Sequence, residues 1–188
     1  ARARLDPADL SEDRRILAPL KLADTVPATG PRLPGLVSGY CGPGNPFTDK
    51  HEVAADGVYH CNPQFEWTGG GLVTTALDLA RWAAALYGGD VLKDETRAEM
   101  FKGVKAKTGP KDEYGLGVII RETPLGTLFG HSGFFPGYQA EMLYLPAQKA
   151  AVAFQVNSSV PGALGRGISP GRFAIEVAGI VAEELRKP

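Results

Sequence analysis

The sequence predicts an α+β fold in which one antiparallel sheet packs against helices. In the C-terminal half, apolar or alternating runs of strand length are separated by Pro, Gly and charged turns. These runs cover residues 114–121, 127–131, 139–145 and 150–156. Because their spacings leave no room for crossover helices, the strands are expected to pair antiparallel. The apolar residues of 171–186, with glutamates between them, predict a final amphipathic helix on that sheet.

A helix beginning after Thr75 has both start and stop signals. Thr75 is a suitable N-cap, and Asp78 three residues later can reach back to it, as in a capping box with Asp in place of Glu. The apolar face continues to Leu86, and Gly88-Gly89 ends it. A second short helix is expected after Asp94.

Residues 27–68 are rich in Pro and Gly and interrupt this regular pattern. We expect ordered coil there, with one or two short strands near residues 36–40 and 57–59. Aromatic side chains are expected to anchor this coil on the domain, namely Phe47, Tyr59, Phe65 and Trp67.

The chain is therefore expected to be one structural domain with four parts. These are a charged N-terminal segment with a short apolar helix end (1–26), the irregular excursion (27–68), a helical segment (69–103), and the antiparallel sheet with its C-terminal helix (114–188).

Composition excludes several function classes. The 188 residues carry 20 Lys+Arg against 21 Asp+Glu, so a net charge of −1 argues against nucleic acid as a partner. No apolar run reaches the roughly 18–20 residues of a membrane helix, and the N-terminus lacks a signal-peptide layout. The chain begins with Ala1 and not with Met, so Met removal and excision from a longer precursor both remain open.

Two cysteines are too few for a disulfide scaffold, so Cys41 and Cys61 are either free thiols or one bridge. With His51 and His60 they form a conceivable zinc set, which we reject because neither C-x₂₋₄-C nor H-x₃₋₅-H spacing is present. No metal is expected.

A candidate for chemistry is residues 130–138 (GHSGFFPGY), where one predicted strand ends and the next begins. Small residues there allow a substrate backbone to approach closely, and an exposed strand edge offers N–H groups to an oxyanion. Taken alone, the segment is more typical of a Gly-rich hairpin containing a hydrogen-bonded histidine.

Five segments in order give this candidate its context. They are 16–25 (ILAPLKLADT), 69–86 (GGGLVTTALDLARWAAAL), 114–118 (YGLGV), 130–138 and 143–157 (LYLPAQKAAVAFQVN). Together they resemble the C-terminal half of the serine β-lactamase and penicillin-binding-protein-like family, in its class C, D,D-carboxypeptidase and esterase branch. The resemblance implies a partial β-lactamase/transpeptidase-like fold, a serine hydrolase activity, no cofactor, and an exported or periplasmic location.

The resemblance also assigns roles to the third active-site motif of that family, Lys-Thr-Gly or His-Ser/Thr-Gly. It corresponds to His131-Ser132-Gly133, where His131 would contribute a hydrogen bond and charge, Ser132 would bind the substrate, and Gly133 would leave space for it. Phe134 would donate its backbone N–H to the oxyanion. A histidine in place of lysine favours the peptidase or esterase branch. The literal Lys107-Thr108-Gly109 is rejected, because the proline that follows belongs to a turn.

The nucleophile of the family is absent from this sequence. None of the serines at 11, 38, 132, 158, 159 and 169 has Lys three residues later, no Tyr or Ser has Asn two residues later, and Gly-x-Ser-x-Gly does not occur. Ser132 and His131 do not form a dyad, because neighbours on a strand point to opposite faces.

We therefore expect the C-terminal part of a serine hydrolase, inactive alone, that acts on a β-lactam, D-amino-acid peptide or ester in the parent protein. Its partner would be the missing N-terminal half or a second copy. The alternatives are an inactive module that binds peptides or cell-wall fragments, and a structural interaction module.

Overall fold

The computed structural model describes residues 13–45, 47–66, 69–89, 91–109, 111–165 and 167–187. Its strands are β1 (Val26–Pro27), β2 (Gly39–Tyr40), β3 (Glu52–Ala55), β4 (Val58–Tyr59), β5 (Leu72–Val73), β6 (Val104–Lys105), β7 (Glu113–Tyr114), β8 (Ile119–Thr123), β9 (Gly126–Phe135), β10 (Tyr138–Leu145) and β11 (Ala150–Val156). Its α-helices are α1 (Ala76–Gly88), α2 (Asp94–Met100) and α3 (Pro170–Glu184). A π-helical turn spans Asp13–Leu17 and a 3₁₀ turn spans Pro63–Phe65.

In the described chain, strands β6 to β11 form an antiparallel sheet in the order β11-β10-β9-β8-β7-β6. Helix α3 packs on one face against Leu128 and Leu143. Helix α1 packs on the other face, where Ala83 and Tyr87 meet Ile120. This arrangement of helices around an antiparallel sheet confirms the predicted fold class.

Helix α3 contacts the sheet through alanines. Ala174, Ala178 and Ala182 are fully buried, whereas the larger Ile180 and Leu185 are more than half exposed. Because alanines recur every four residues, they line one face and let the helix axis approach the sheet closely. The predicted helix is confirmed, and its buried stripe consists of small residues.

Helix α1 begins and ends as predicted, but Asp78 has a different role. Thr75 Oγ1 accepts the backbone N–H of Asp78 at 3.2 Å, and Gly89 caps the C-terminus with φ of 118°. The Asp78 carboxylate does not close a capping box. It accepts hydrogen bonds from the Asp24 N–H at 2.9 Å and from Thr25 Oγ1 at 3.1 Å, so it fastens the N-terminal segment to the helix.

The single strand expected over residues 114–121 is wrong, because a turn divides it into β7 and β8. Gly115 N–H donates to the Val118 carbonyl at 2.8 Å, and Gly117 lies in the left-handed region with φ of 72°. Such a φ favours glycine, so the YGLGV segment forms a turn.

Residues 27–68 contain more regular structure than expected. Strands β2, β3 and β4 form a three-stranded sheet, so the prediction of one or two strands is wrong. The missed strand is β3, whose Val53 and Ala54 are fully buried. It joins β4 through Asp56-Gly57, which both have positive φ, and an Asp-Gly pair with this geometry is a preferred two-residue hairpin turn.

This small sheet is attached beside the end of the large one. The Tyr59 hydroxyl donates to the Pro136 carbonyl at 2.9 Å, and the Tyr40 N–H donates to the Asn157 carbonyl at 3.1 Å. Phe65 stacks on Phe135, and Phe47 stacks on Phe65. Tyr59 and Phe65 therefore anchor the excursion on the domain as expected, whereas Phe47 contacts only Phe65 of the excursion itself, and Trp67 lies outside the described residues.

Both cysteines are free thiols, Cys41 buried and Cys61 half-buried, which settles the alternative left open by the sequence. None of the helices in the described ranges is long and apolar enough to cross a membrane.

The fold generates a prediction for Asp78. Replacing it by Ala leaves the Asp24 N–H and the Thr25 hydroxyl without this acceptor, so we expect the free energy of unfolding to fall by about 2–4 kcal/mol. Asp94→Ala is the matched control, because its carboxylate is 90% exposed and its ion pair with Arg97 should contribute less than about 1 kcal/mol. Urea denaturation measures both. Equal losses in the two variants would contradict the role of Asp78.

Candidate active site

Strand β9 extends beyond its neighbour β8. The register pairs β8 with Gly126–Gly130 only, whereas β10 pairs with β9 from Phe129 to Phe135. In the described chain no strand pairs with residues 131–135 on the side away from β10. We call this segment the open edge. It holds His131, Ser132, Gly133 and Phe134, the residues selected from the sequence.

A cavity of about 840 Å³ lies beside the open edge. Its boundary includes the Gly69–Gly71 turn and the first residues of α1, together with apolar side chains of the irregular excursion and β5. Such a cavity is large enough for a small ligand. The sequence-predicted motif therefore lines a cleft.

His131 is held by hydrogen bonds at both ring nitrogens. Its Nδ1 lies 2.7 Å from the Ser132 carbonyl oxygen, and its Nε2 lies 2.8 Å from the Tyr114 hydroxyl. A carbonyl accepts only, so Nδ1 carries a proton, and in the neutral imidazole Nε2 accepts from Tyr114. The Tyr114 ring also meets His131 edge-on, with centroids 5.7 Å apart. These contacts fix the orientation of the imidazole.

The Ser132 hydroxyl has a different partner. It accepts a hydrogen bond from Arg121 Nη2 at 3.0 Å. Ser132 borders both the large cavity and a second one of about 340 Å³, which reaches Ser169 at the start of α3. A substitution of Arg121 would therefore change the hydrogen bonding of Ser132 at the open edge.

Arg121 belongs to a buried charge cluster, which we define as Arg121, Asp112 and Glu141. Arg121 is 6% exposed and Glu141 is 2% exposed. Arg121 Nε lies 3.7 Å from Asp112 Oδ2, and Arg121 Nη1 lies 3.4 Å from Glu141 Oε2. Neither atom of the second pair has a hydrogen-bond partner among the described residues. Burial raises the pKa of the Glu141 carboxyl above its usual range, and hydrogen bonding to Ser132 and the charge of Arg121 only partly offset this.

Two glycines of the site lie where neighbouring atoms leave no room for a side chain. A Cβ on Gly130 would lie 2.1 Å from the Met142 carbonyl oxygen, so the residue before His131 has no room for a side chain. Gly137 has φ of 87° in the turn after the open edge, and its neighbour there is Val53 of the small sheet.

The Phe134 side chain is 61% exposed, so its phenyl ring does not cover the backbone of the open edge.

The sequence reasoning missed Tyr114, Arg121, Asp112 and Glu141 as parts of the site. Glu141 interrupts a mostly apolar strand, which is an available signal for a buried partner, whereas Arg121 is followed by Glu122 and Thr123 and carries no such signal. The rejected Lys107-Thr108-Gly109 lies between β6 and β7, outside any strand, and Thr108 Oγ1 donates to Asp112 Oδ2 at 3.1 Å.

Comparisons with known proteins agree with this geometry. The fold is that of the β-lactamase and transpeptidase class of serine hydrolases. The sequence profile named Beta-lactamase matches residues 6–173, so the chain belongs to the Beta-lactamase family. No curated protein matches the chain.

Solved structures show the same fold. A D-stereospecific amidohydrolase from Streptomyces sp. superposes with a TM-score of 0.64 at 25% identity, covering 78% of this chain and 42% of its own. The D-amino acid amidase from Ochrobactrum anthropi SV3, complexed with L-phenylalanine, gives a TM-score of 0.71 at 23% identity. The match covers 93% of this chain and 53% of the amidase. An octameric penicillin-binding protein homologue from Pyrococcus abyssi gives a TM-score of 0.64 at 23% identity. The match covers 91% of this chain and 36% of the homologue. The chain thus spans about half the length of these relatives, or less.

The charge cluster generates a pH prediction. Because the Glu141 pKa is raised on folding, the folded chain binds more protons than the unfolded chain between the two pKa values. The free energy of unfolding should therefore fall as pH rises from about 4.5 through the raised value. Glu141→Gln should remove this fall and be no less stable than the parent at pH 7. Denaturant melts from pH 4 to 8 measure the difference.

The control for this pH series is Glu176→Gln. Glu176 is half exposed on α3 and pairs with Arg172 at 3.2 Å, so its substitution should leave the pH profile of the parent unchanged. A Glu141→Gln profile parallel to that of the parent would contradict the proposed cost of burying this carboxylate.

Proposed function

We propose that this chain is the C-terminal part of a β-lactamase-like serine hydrolase and provides the His-Ser-Gly side of its cleft. The reaction is acyl transfer on a D-amino-acid amide or peptide, an ester or a β-lactam. The observation that carries the proposal is the open edge. Backbone N–H groups of an edge strand, lying beside a cleft, are suited to bind a substrate and its oxyanion.

Each residue of the open edge has a task in this reaction. Phe134 N–H donates to the oxyanion that forms when the carbonyl carbon is attacked. His131, oriented by Tyr114 and by the Ser132 carbonyl, contributes a hydrogen bond to the substrate beside that oxygen once its Nε2 exchanges the Tyr114 hydroxyl for a donor of the substrate. Ser132 binds the substrate, and Gly133 leaves space for the backbone of the substrate.

The nucleophile comes from a segment preceding this chain. No serine here has a lysine three residues later, and the amidase and penicillin-binding-protein relatives are about twice as long. The second oxyanion donor is then the N–H of that nucleophile. The chain alone is inactive, and it becomes a hydrolase only with its N-terminal half.

The rate test joins the chain to its upstream coding segment and uses an activated ester. Phe134→Pro removes the N–H donor, so we expect the rate to fall by about 10²–10³. His131→Ala should reduce it by about twofold to tenfold, the value of one ordinary hydrogen bond to the substrate.

Phe134→Ala is the matched control, because it removes the phenyl ring and keeps the N–H. Thermal melts establish that each variant is folded, since proline also restricts φ. If Phe134→Pro and His131→Ala fold and hydrolyse the ester as fast as the parent, residues 130–138 are only a hairpin.

An exposed apolar surface supports the missing half as a physical partner. Val37, Leu72 and Phe134 border the cleft and are between 44% and 61% exposed, and Leu77 of α1 is 58% exposed. Monomers rarely leave such residues together in contact with water. The alternative occupant is a second copy, and the Pyrococcus homologue is octameric.

We expect the isolated chain to self-associate or bind the dye ANS, and we expect the joined protein to bind less of it. Sedimentation velocity and ANS fluorescence measure the two properties. A compact monomer of the isolated chain that binds no ANS would contradict this partner surface.

A further inference from the structure

Both hydrogen-bonding positions of the His131 imidazole are occupied within the chain. A neutral imidazole has one nitrogen that donates a proton and one nitrogen that accepts through its lone pair. Nδ1 donates to the Ser132 carbonyl oxygen at 2.7 Å, and Nε2 accepts from the Tyr114 hydroxyl at 2.8 Å. A ligand that donates to His131 must therefore first displace the Tyr114 hydroxyl.

The Tyr114 side chain reaches His131 from the free side of the open edge. Tyr114 is opposite Ile119 of β8, and Ile119 is opposite Gly130, the last residue of β9 that β8 pairs with. The side chain therefore comes from the side of β9 that faces away from β10. This is also the side from which an extended ligand would pair with residues 131–135. The hydroxyl thus takes a position that a bound substrate would use.

The backbone around Tyr114 is held in place, so displacement of its hydroxyl requires a rotation of the side chain only. The Leu116 N–H donates to the Met100 carbonyl oxygen at 3.0 Å. A Cβ on Gly115 would overlap the same carbonyl oxygen, so the chain is closely packed there. The Tyr114 residue is half-buried, and its hydroxyl can bond to water once it has turned away from His131.

Resting on the proposed role of the open edge in substrate binding, we propose that Tyr114 is an internal competitor for the Nε2 atom of His131. In the ligand-free chain its hydroxyl takes the place of an N–H donor of the substrate. Binding of that donor exchanges one hydrogen bond for another of the same kind, so the net gain in affinity is small. Tyr114 is thus a positioning residue, which acts on the substrate through His131.

The competitor role predicts an effect of opposite sign to that of a structural role. Without the Tyr114 hydroxyl, Nε2 of His131 is an acceptor without this partner, and a ligand donor gains a hydrogen bond there without breaking one. Loss of a merely structural contact would leave ligand affinity unchanged or lower it. Tyr114→Phe should therefore tighten the binding only of ligands that carry a donor.

The test compares two uncharged ligands of the same shape on the chain itself. N-methylphenylacetamide carries an N–H at the position where methyl phenylacetate carries an ester oxygen. Their phenyl ring suits the apolar lining of the large cavity, which includes Leu36 and Phe135. NMR titration of the backbone signals of residues 131–135 gives the Kd of each ligand.

We expect the parent chain to bind the amide and the ester with affinities within about twofold of each other. Tyr114→Phe should bind the amide about threefold to tenfold more tightly than the parent does, and it should leave the affinity for the ester unchanged. In the parent, the ring signals of Tyr114 should shift on saturation with the amide and not with the ester.

Tyr40→Phe is the matched control, because Tyr40 lies beside His51 on the small sheet and lines neither cavity. It should keep both affinities of the parent. The double variant Tyr114→Phe/His131→Ala should lose the gain for the amide, since the acceptor is then absent. Thermal melts check folding, and Tyr114→Leu, which also lacks the hydroxyl, is the second variant if Tyr114→Phe does not fold.

Three results separate the claims. If the folded Tyr114→Phe variant binds the amide no more tightly than the parent, the competitor role is overturned while ligand binding at the open edge stands. If the amide and the ester gain equally, the hydroxyl excludes ligands by its volume, and the exchange of hydrogen bonds is overturned. If neither ligand shifts the signals of the open edge in the parent or the variants, the proposed function fails and this inference fails with it.

Discussion

The site depends on one strand being longer than its neighbour. Strand β9 is paired with β10 from Phe129 to Phe135, but β8 stops opposite Gly130. Residues 131–135 are therefore held in an extended conformation by their pairing with β10 alone. This combination gives a rigid backbone whose other edge is free to pair with a ligand, which neither a loop nor a central strand provides.

The elements around the open edge support it from several sides. Tyr114, at the end of the short β7, reaches His131, while Arg121 of β8 reaches Ser132. Glu141 of β10 completes the buried charges. Each side chain of the motif is thus oriented by a neighbouring strand, and the small sheet covers the turn that follows through Tyr59 and Phe135.

Much of this arrangement was accessible from sequence, and the failures have physical causes. Helix α1 was predictable because its cap and its terminal glycines are local signals. The hairpin at Asp56-Gly57 carries an equally local signal, which the high proline content of its surroundings obscured. The partners of His131 and Arg121 were not predictable, because they depend on the register between strands and not on spacing along the chain.

The most direct measurement is covalent labelling of the serine nucleophile by a fluorophosphonate, read by intact-protein mass spectrometry. It compares the chain alone with the chain joined to its upstream coding segment. The account predicts an in-frame Ser-x-x-Lys in that segment, one adduct on its serine in the joined protein, and none on the chain alone. Stoichiometric labelling of a serine within the chain, or an upstream segment without Ser-x-x-Lys and without an adduct, would contradict it.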